Sequence, residues 1–324
     1  MNRLRAYRDI EGIGQDDLGK LLGLSPQMVS AIEGGRRGFI GDLAALGYSN
    51  ARLELPEMSE PLHRQRASTK VASRKRAHEL LRLAGEVFRE LCGRTERAPH
   101  VALDPLPAPV SVDEIEELAI DVRFTLRHEE TGPIRNLTAA VERAGVCIIP
   151  IVGLDGIDGL SSWVNGVPVI GISPSVPGDR FRLTLGHEMG HLLFHTRPGS
   201  TTESEANRFA SALLFPQSEF DAQMLDRPQL RDFVSLKSSW GVSVAALVYR
   251  AHELDHIDDR RYRALQIQMS KWRKAEPATF PPVHGELMNR LVVANGGTDA
   301  VARELGVNRK HLQQLQKWSH LRVA

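Results

Sequence analysis

Residues 182–195 read RLTLGHEMGHLLFH and contain the pattern His187-Glu188-Met189-Gly190-His191. On an α-helix, residues four apart lie on one face, so both imidazoles can reach one ion. Zinc favours nitrogen ligands, and Glu188 projects beside them, where it can take a proton from water. The apolar flanks predict a mostly buried helix, in which Gly190 lets another backbone approach closely. We therefore predict a Zn²⁺ site with His187 and His191 as ligands and Glu188 as the catalytic base.

A catalytic zinc site needs a third protein ligand, and two glutamates follow on a second predicted helix, which ends before Pro216. Glu205 precedes a small residue, which lets the two helices pack closely, but it also fits a capping box with Thr202. Glu203 lies nearer the apolar stripe of the same helix. Spacing alone leaves the choice open. The alternative is that the histidine pattern occurs by chance. It is less favoured, because a carboxylate that could be the third ligand follows on the next helix.

Residues 111–275 resemble the ImmA/IrrE family of neutral zinc metallopeptidases. The resemblance lies in 182–195 and in EANRFASALLFP at 205–216, with weaker matches at Gly132-Pro133-Ile134, Trp240-Gly241-Val242-Ser243 and Trp272-Arg273. It implies a zincin-like α+β fold and Glu205 as the third ligand. Gly186 and Met189 stand where alanine and leucine are usual, and neither departure removes a catalytic group. For His195, four residues beyond His191, we expect a place behind the ligands; donation to the oxyanion is the alternative.

The segment Ser162–Ile172 predicts a β-hairpin with Asn165-Gly166 as a type I′ turn. Pro168 favours an edge position for the second arm, because proline cannot donate to a neighbouring strand. The resemblance implies an edge strand beside the active-site helix, so a substrate peptide would pair with Val167–Ile172 by strand addition. Zinc would polarise the scissile carbonyl, and Glu188 would pass the proton to the leaving amine.

Residues 15–32 fit a helix-turn-helix position by position. Apolar residues face the core, Gly23 supplies the left-handed turn, Ser25 caps the second helix and Pro26 takes its first position. Four residues are left toward solvent, where a recognition helix reads the major groove: Gln27, Met28, Ser30 and Ala31. The alternative is a helical bundle used for protein contacts.

This segment resembles the XRE family of repressors from Leu4 through Leu46, including the ending Glu33-Gly34-Gly35. The resemblance implies that Gln15 touches phosphate, Gln27 a base edge, and Arg36 and Arg37 the DNA backbone. The expected partner is double-stranded operator DNA, bound by a homodimer on a pseudo-palindrome.

Residues 298–315 repeat the same offsets, with Gly306 at the turn and Asn308 as the cap. They resemble the short helix-turn-helix at the end of Fis-type proteins. A second candidate DNA site follows at Asn308, Arg309, Lys310 and His311, with Lys317 as a further exposed cation. An equally open alternative is a helical hairpin packed on the peptidase domain.

The 324 residues carry a net charge of +1, divided into +4 over 1–98, −6 over 99–276 and +3 over 277–324. Residues 62–76 hold six basic side chains and no acid, and we interpret them as a solvated linker or helix face. Proline-rich breaks predict four parts: a helix-turn-helix domain at 1–60, a basic helical linker at 61–110, a metallopeptidase domain at 111–276 and a C-terminal helical segment at 283–324. The predicted fold class is mainly α with an α+β part.

The sequence also limits where the chain works. Cys92 and Cys147 follow no disulfide or metal spacing, the first ten residues lack the apolar core of a signal peptide, and no apolar run can span a bilayer. We expect a cytoplasmic regulator, without a membrane partner, that cleaves a repressor or itself in phage, mobile-element or stress control. The alternative is a transcription factor whose zincin domain senses a ligand without turnover. The intact pattern favours cleavage, because sensing would not need Glu188.

Overall fold

A computed structural model describes residues 2–60, 71–109, 111–126, 131–152, 158–195, 199–272 and 276–318. These ranges are mostly helical with one small sheet, which confirms the predicted fold class. The elements are α1 (Arg3–Glu11), α2 (Gln15–Leu22), α3 (Pro26–Glu33), α4 (Val71–Arg94), α5 (Val112–Thr125), α6 (Leu137–Arg143), β1 (Cys147–Pro150), β2 (Gly159–Val164), β3 (Val167–Ile172), α7 (Gly178–Phe194), α8 (Thr202–Leu214), α9 (Gln217–Gln223), α10 (Leu230–Trp240), α11 (Val244–Glu253), α12 (Asp259–Met269), α13 (Leu287–Ala294), α14 (Thr298–Leu305) and α15 (Arg309–Gln316). No helix in the described ranges is long and apolar enough to cross a membrane.

The chain divides into two compact units that do not follow sequence order. Unit 1 combines Met1–Val101, Gly145–Pro174 and Gly285–Ala324, and it holds α1–α4, the three strands and α13–α15. Unit 2 combines Ala102–Ala144 and Ser175–His284, and it holds α5–α12. The predicted boundaries at 60, 110 and 276–283 stay predictions. What the structure adds is that the strands group with the N-terminal and C-terminal helices.

The sheet has the order β1-β3-β2, with β1 parallel and β2 antiparallel to β3. The hairpin prediction is confirmed, because Asn165 and Gly166 both adopt positive φ between β2 and β3. The edge position predicted for Val167–Ile172 is wrong, since β3 is the central strand. Pro168 is tolerated there because pairing with β1 begins only at Val169, so that Pro168 lies opposite Trp163 of β2 alone.

The core of unit 1 forms around α4, whose apolar face packs against α1 and the sheet. The apolar residues of this helix from Leu80 to Leu91 are buried. Gly85 brings the helix onto the sheet, where an added Cβ would lie 2.5 Å from Cβ of Val164. The helix lies in the segment predicted as a basic helical linker at 61–110, and it packs at the centre of this unit's core. Of the basic stretch 62–76, residues 62–70 lie outside the described residues, and residues 71–76 form the start of α4.

Unit 2 is built around α7 and α8, with α5 packed against α8. Buried ion pairs fix α8 in place: Arg208 pairs with Glu116 of α5 and with Glu253 of α11, and Arg250 of α11 pairs with the same Glu116. Removing one member of such a network would leave a buried charge without its partner. These contacts therefore hold α8 in the position that the candidate site requires.

Candidate metal centre and nucleic-acid interface

The two helices of the candidate metal centre cross at small residues. A Cβ added to Gly186 would lie 3.2 Å from Cβ of Ala210, and one added to Gly190 would lie 3.1 Å from Cα of Ala206. Contacts this short leave little room for a side chain on α7 at either position, and the backbones approach closely as a result. The expectation for Gly190 is confirmed. The crossing brings polar residues from the first half of α8 to the histidines of α7.

His187 and His191 turn their Nε2 atoms toward each other, at 3.0 Å, and both side chains are almost fully buried. The Nδ1 atom of each ring has its own partner: His187 contacts Oδ1 of Asn207 at 3.0 Å, and His191 contacts Nδ1 of His195 at 2.9 Å. An amide oxygen only accepts, so Nδ1 of His187 donates, and in the neutral ring Nε2 then carries the lone pair. Asn207 lies on α8 four residues after Glu203 and was not among the predicted site residues.

The third group at this point is Glu203, whose carboxylate oxygens lie 3.6 Å from Nε2 of His187 and 3.5 Å from Nε2 of His191. These three residues form a group in which all the donor atoms lie within 4.8 Å of one another. Glu205, the third ligand that the resemblance implied, is not in this group, and its Oε2 lies 2.8 Å from Nε2 of His195. The structure thus brings Glu203, and not Glu205, to the two histidines.

Helical periodicity explains this difference. The residues of α8 that contact the glycines of α7 are Ala206 and Ala210. Glu203 precedes them by three and seven positions and shares their face, whereas Glu205 directly precedes Ala206 and lies about 100° away around the axis. The stripe of apolar residues near Glu203 was the signal for the side of α8 that faces the histidines. The capping box proposed for Glu205 with Thr202 is wrong, because Thr202 is the first helical residue and Thr201 the cap.

His195 follows the last residue of α7 and links the two sets of polar groups. Its side chain is buried, and burial lowers its pKa, an effect that the hydrogen bond to Glu205 partly opposes. Burial would raise the pKa of Glu205, but hydrogen bonds from Thr201 and His195 outweigh it, so that its pKa is lowered. His195 therefore lies behind His191, as expected. Nothing in these contacts places it among the donor atoms of the candidate metal group.

The donor set can be compared with what zinc requires. Two ligands with bonds of about 2.0–2.1 Å in tetrahedral geometry lie about 3.3 Å apart. The separations between the Nε2 atoms and the carboxylate range from 3.0 to 3.6 Å. Two imidazole nitrogens and one carboxylate are also the ligand types of catalytic zinc sites. The residues present therefore fit a zinc ion, with Glu188 buried in the same turn of α7.

The N-terminal helix-turn-helix has the predicted elements. Gly23 adopts φ of 66°, and Ser25 accepts a hydrogen bond from the backbone N–H of Met28, which caps α3. Gly19 is needed at the turn, because an added Cβ would lie 2.5 Å from the carbonyl oxygen of Leu24. Val29, with Ile32, buries the inner face of α3.

The residues predicted to contact DNA fall into two groups. Ser25, Gln27, Arg36 and Arg37 are exposed, whereas Met28 and Ser30 are half-buried. Gln15 is held in place, since its side-chain amide donates to Glu33, which also accepts two hydrogen bonds from Arg8. The structure thus leaves the start of α3 and the two arginines after it accessible. Their contacts with DNA stay predictions.

The second candidate DNA site has a different environment. His311 is fully buried, with Nδ1 2.7 Å from the Tyr48 hydroxyl and Nε2 2.8 Å from Glu11. Asn308 caps α15 and donates to the carbonyl of Leu46, and Lys310 forms an ion pair with Glu11. Arg309 remains outward, paired with Asp299.

Of these four residues, His311 is buried and Asn308 half-buried, whereas Arg309 and Lys310 are exposed. His311 is therefore closed to DNA, and DNA contacts at the other three stay a prediction. The hairpin packs on β1, which lies within the predicted metallopeptidase range 111–276, as the alternative held, and it also contacts Glu11 of α1.

Comparison with known families supports the metallopeptidase resemblance over part of the chain. The family model Peptidase_M78, described as an IrrE N-terminal-like domain, matches residues 141–252. This stretch contains α7 and α8 with all the residues of the candidate metal centre, and the match indicates a metallopeptidase-like module. No curated protein matches the chain. The matched stretch does not include the N-terminal helix-turn-helix.

Proposed function

We propose that the chain is a zinc-dependent endopeptidase joined to a helix-turn-helix that binds double-stranded DNA, and that it cleaves a regulatory protein. The main support for peptidase activity is that the donor atoms of His187, His191 and Glu203 lie close together, with Glu188 beside the histidines on α7. The match to the IrrE N-terminal-like domain over the same residues supports it. The substrate would be a repressor or the chain itself.

The residues divide the chemistry of peptide hydrolysis among them. His187 and His191 would bind the ion through Nε2, and Glu203 through its carboxylate. The zinc ion would supply a Lewis acid that polarises the peptide carbonyl and makes water more acidic. The Glu188 carboxylate takes a proton from the attacking water and delivers it to the leaving amine nitrogen. Burial of Glu188 keeps it away from bulk solvent, which strengthens its interaction with the reacting groups.

The proposal that the chain binds DNA is supported by the exposed start of α3. Gln27 is accessible there, and Arg36 with Arg37 extends the polar surface beyond the end of the helix. A glutamine side chain can read an adenine edge, and exposed arginines contact phosphates without sequence preference. The homodimer expected for a helix-turn-helix of this type would bind a pseudo-palindromic site.

The first test is the metal content of the purified full chain, measured by elemental analysis. We expect about one zinc per chain, lost in His191→Ala and kept in Glu117→Gln, a control at an exposed glutamate of α5. A wild-type protein that binds no added zinc would overturn the proposal. Circular dichroism of each variant separates loss of metal from loss of fold.

The second test addresses turnover. Glu188→Gln keeps the size of the side chain and removes the base, so zinc binding should persist while peptide cleavage falls by about 10²–10⁴-fold. Cleavage is followed by mass spectrometry on a peptide library derived from a bacterial proteome. Equal cleavage by wild type and Glu188→Gln would exclude this mechanism. Zinc binding without cleavage of any protein or peptide would favour the sensor alternative.

A further inference from the structure

We propose that Glu205 and His195 form a hydrogen-bonded relay that positions the metal-binding nitrogen of His191. This inference rests on the proposed zinc site. It gives Glu205 a role different from that of Glu203, although both lie on the first turn of α8. In this role Glu205 and His195 are positioning residues, which act on the metal only through His191.

The relay is continuous in the structure. The carboxylate of Glu205 lies 2.8 Å from Nε2 of His195, and Nδ1 of His195 lies 2.9 Å from Nδ1 of His191. The far nitrogen of His191, Nε2, is the atom that faces His187 and Glu203. Glu205, His195 and His191 therefore form one chain of polar contacts that leads to the donor group.

The polarity of the relay follows from the types of its groups. A carboxylate accepts, so Nε2 of a neutral His195 carries the hydrogen and its Nδ1 has none. Nδ1 of His191 must then donate to His195, because the contact needs one hydrogen. That tautomer leaves a lone pair on Nε2 of His191, directed toward the donor group. The Glu205 carboxylate thereby selects the metal-binding form of a ring that it does not touch.

The two histidines of the candidate centre are supported unequally. Nδ1 of His187 contacts the neutral amide of Asn207 directly, whereas Nδ1 of His191 contacts His195, which in turn contacts the carboxylate of Glu205. A carboxylate behind a metal-bound histidine fixes its ring and makes it a stronger donor. We therefore expect the relay to fix the ring of His191 and to strengthen its metal bond. The side chain of His195 is 2 % exposed, which protects the relay from competing water.

The test compares four variants of the full chain by zinc affinity, measured in competition with a chromophoric chelator. His195→Leu fills the space but removes both hydrogen bonds, and it should weaken zinc binding about 10–100-fold. His195→Gln provides one acceptor and one donor in place of the ring nitrogens, and it should restore affinity toward wild type. Glu205→Gln keeps an acceptor but loses the charge, and it should show a smaller loss than His195→Leu. Glu203→Gln should lose stoichiometric zinc, since it removes a ligand.

Cobalt(II) in place of zinc gives a readout of the ligand set. In Glu205→Gln and both His195 variants, the visible spectrum should keep the form and intensity of the wild type, because the three ligands are unchanged. In Glu203→Gln it should change. Thermal unfolding of the metal-free proteins reports how much stability each variant loses without metal, so that weaker zinc binding by a misfolded protein is recognised.

Three outcomes are distinguishable. Wild-type affinity in His195→Leu would overturn the relay and leave the zinc site standing. Loss of stoichiometric zinc in Glu205→Gln, with zinc retained in Glu203→Gln, would make Glu205 the ligand and also overturn the relay. Absence of zinc in the wild type would overturn the proposed function itself.

Discussion

The two helix-turn-helix hairpins of unit 1 share the same internal design but have opposite surroundings. Ser25 and Asn308 both cap the second helix, and Gly23 and Gly306 both adopt positive φ at the turn. Even a side-chain contact recurs, since Gln15 donates to Glu33 in the first hairpin, and Thr298 donates to Gln316 at the matching positions of the second. Local sequence therefore specifies the same hairpin twice.

The difference lies in what covers the second helix. At matching positions, Met28 is half-buried at the surface, whereas His311 is fully buried against Tyr48 and Glu11. Gln27 and Lys310 are both exposed, but Lys310 forms an ion pair with Glu11. A hairpin pattern thus predicts a fold but not a function, because function depends on whether distant parts of the chain occupy the same face.

The largest difference between the hairpins should appear on truncation of the matching residues Met28 and His311. His311→Ala leaves a cavity and removes one hydrogen-bond partner each from the Tyr48 hydroxyl and Glu11, which should lower the free energy of unfolding by roughly 3–5 kcal/mol. Met28→Ala should cost about 1 kcal/mol or less. Chemical denaturation of the full chain measures both, and equal losses would show that the two environments do not differ.

A second difference concerns pH. Burial lowers the pKa of His311 from 6.5 to about 4, against the opposing effect of Glu11, while Lys310 and Arg3 add to the lowering. Since the folded pKa lies below the unfolded one, the stabilisation is complete above pH 6.5 and is lost as the pH falls toward 4. The loss should reach about 3 kcal/mol. The difference in unfolding free energy between wild type and His311→Gln, measured from pH 7 to pH 4, should follow this curve. A difference that does not vary with pH would contradict it.

The third prediction concerns DNA affinity and not the free energy of unfolding. Gln27→Ala should cost about 1–3 kcal/mol in binding to the preferred site and relax sequence preference there. Lys310→Ala, at the matching position of α15, should leave DNA affinity unchanged. The assay selects a site from random duplexes with the full chain and then titrates each variant. A loss in Lys310→Ala with none in Gln27→Ala would transfer the DNA-binding role to the second hairpin.

The smallest effect is expected at Arg309, the outward residue of the second site. Arg309→Ala should change neither DNA affinity nor its dependence on salt, because its guanidinium is engaged with Asp299 in solvent. Arg36→Ala should reduce the slope of log affinity against log salt by about 1. Titrations at several salt concentrations provide both slopes, and equal reductions would mean that both hairpins lie near phosphate.

Elements set by short-range patterns were predictable. The turn at Asn165-Gly166 required only adjacent residues, and the helices of both hairpins required only their caps and apolar spacing. The contacts that decide function join distant residues. His311 forms hydrogen bonds with Glu11 and Tyr48, near the other end of the chain, and no local sequence signal indicates these contacts.

The metal centre lies between these cases. His187, Glu188 and His191 were recognisable because one helical turn fixes their spacing. The choice between Glu203 and Glu205 needed the packing of α8 on α7, which the alanines facing Gly186 and Gly190 encode. The order of the strands was harder to predict. Pro168 cannot donate a hydrogen bond to a neighbouring strand at its own position, but this does not exclude a strand that pairs from Val169 onward, as β1 does.

The contact between His311 and Glu11 also constrains the order in which the protein can fold. Unit 1 is assembled from three stretches of chain, and all of unit 2 lies between the first and the last of them. A ribosome makes the N-terminal hairpin early, yet the helix that covers Glu11 and Tyr48 emerges only after both stretches of unit 2. During synthesis Glu11 and Tyr48 therefore remain uncovered, while all residues of unit 2 are already available for folding. Long-range closure of this kind is slow, so the final step of folding would be the arrival of α15.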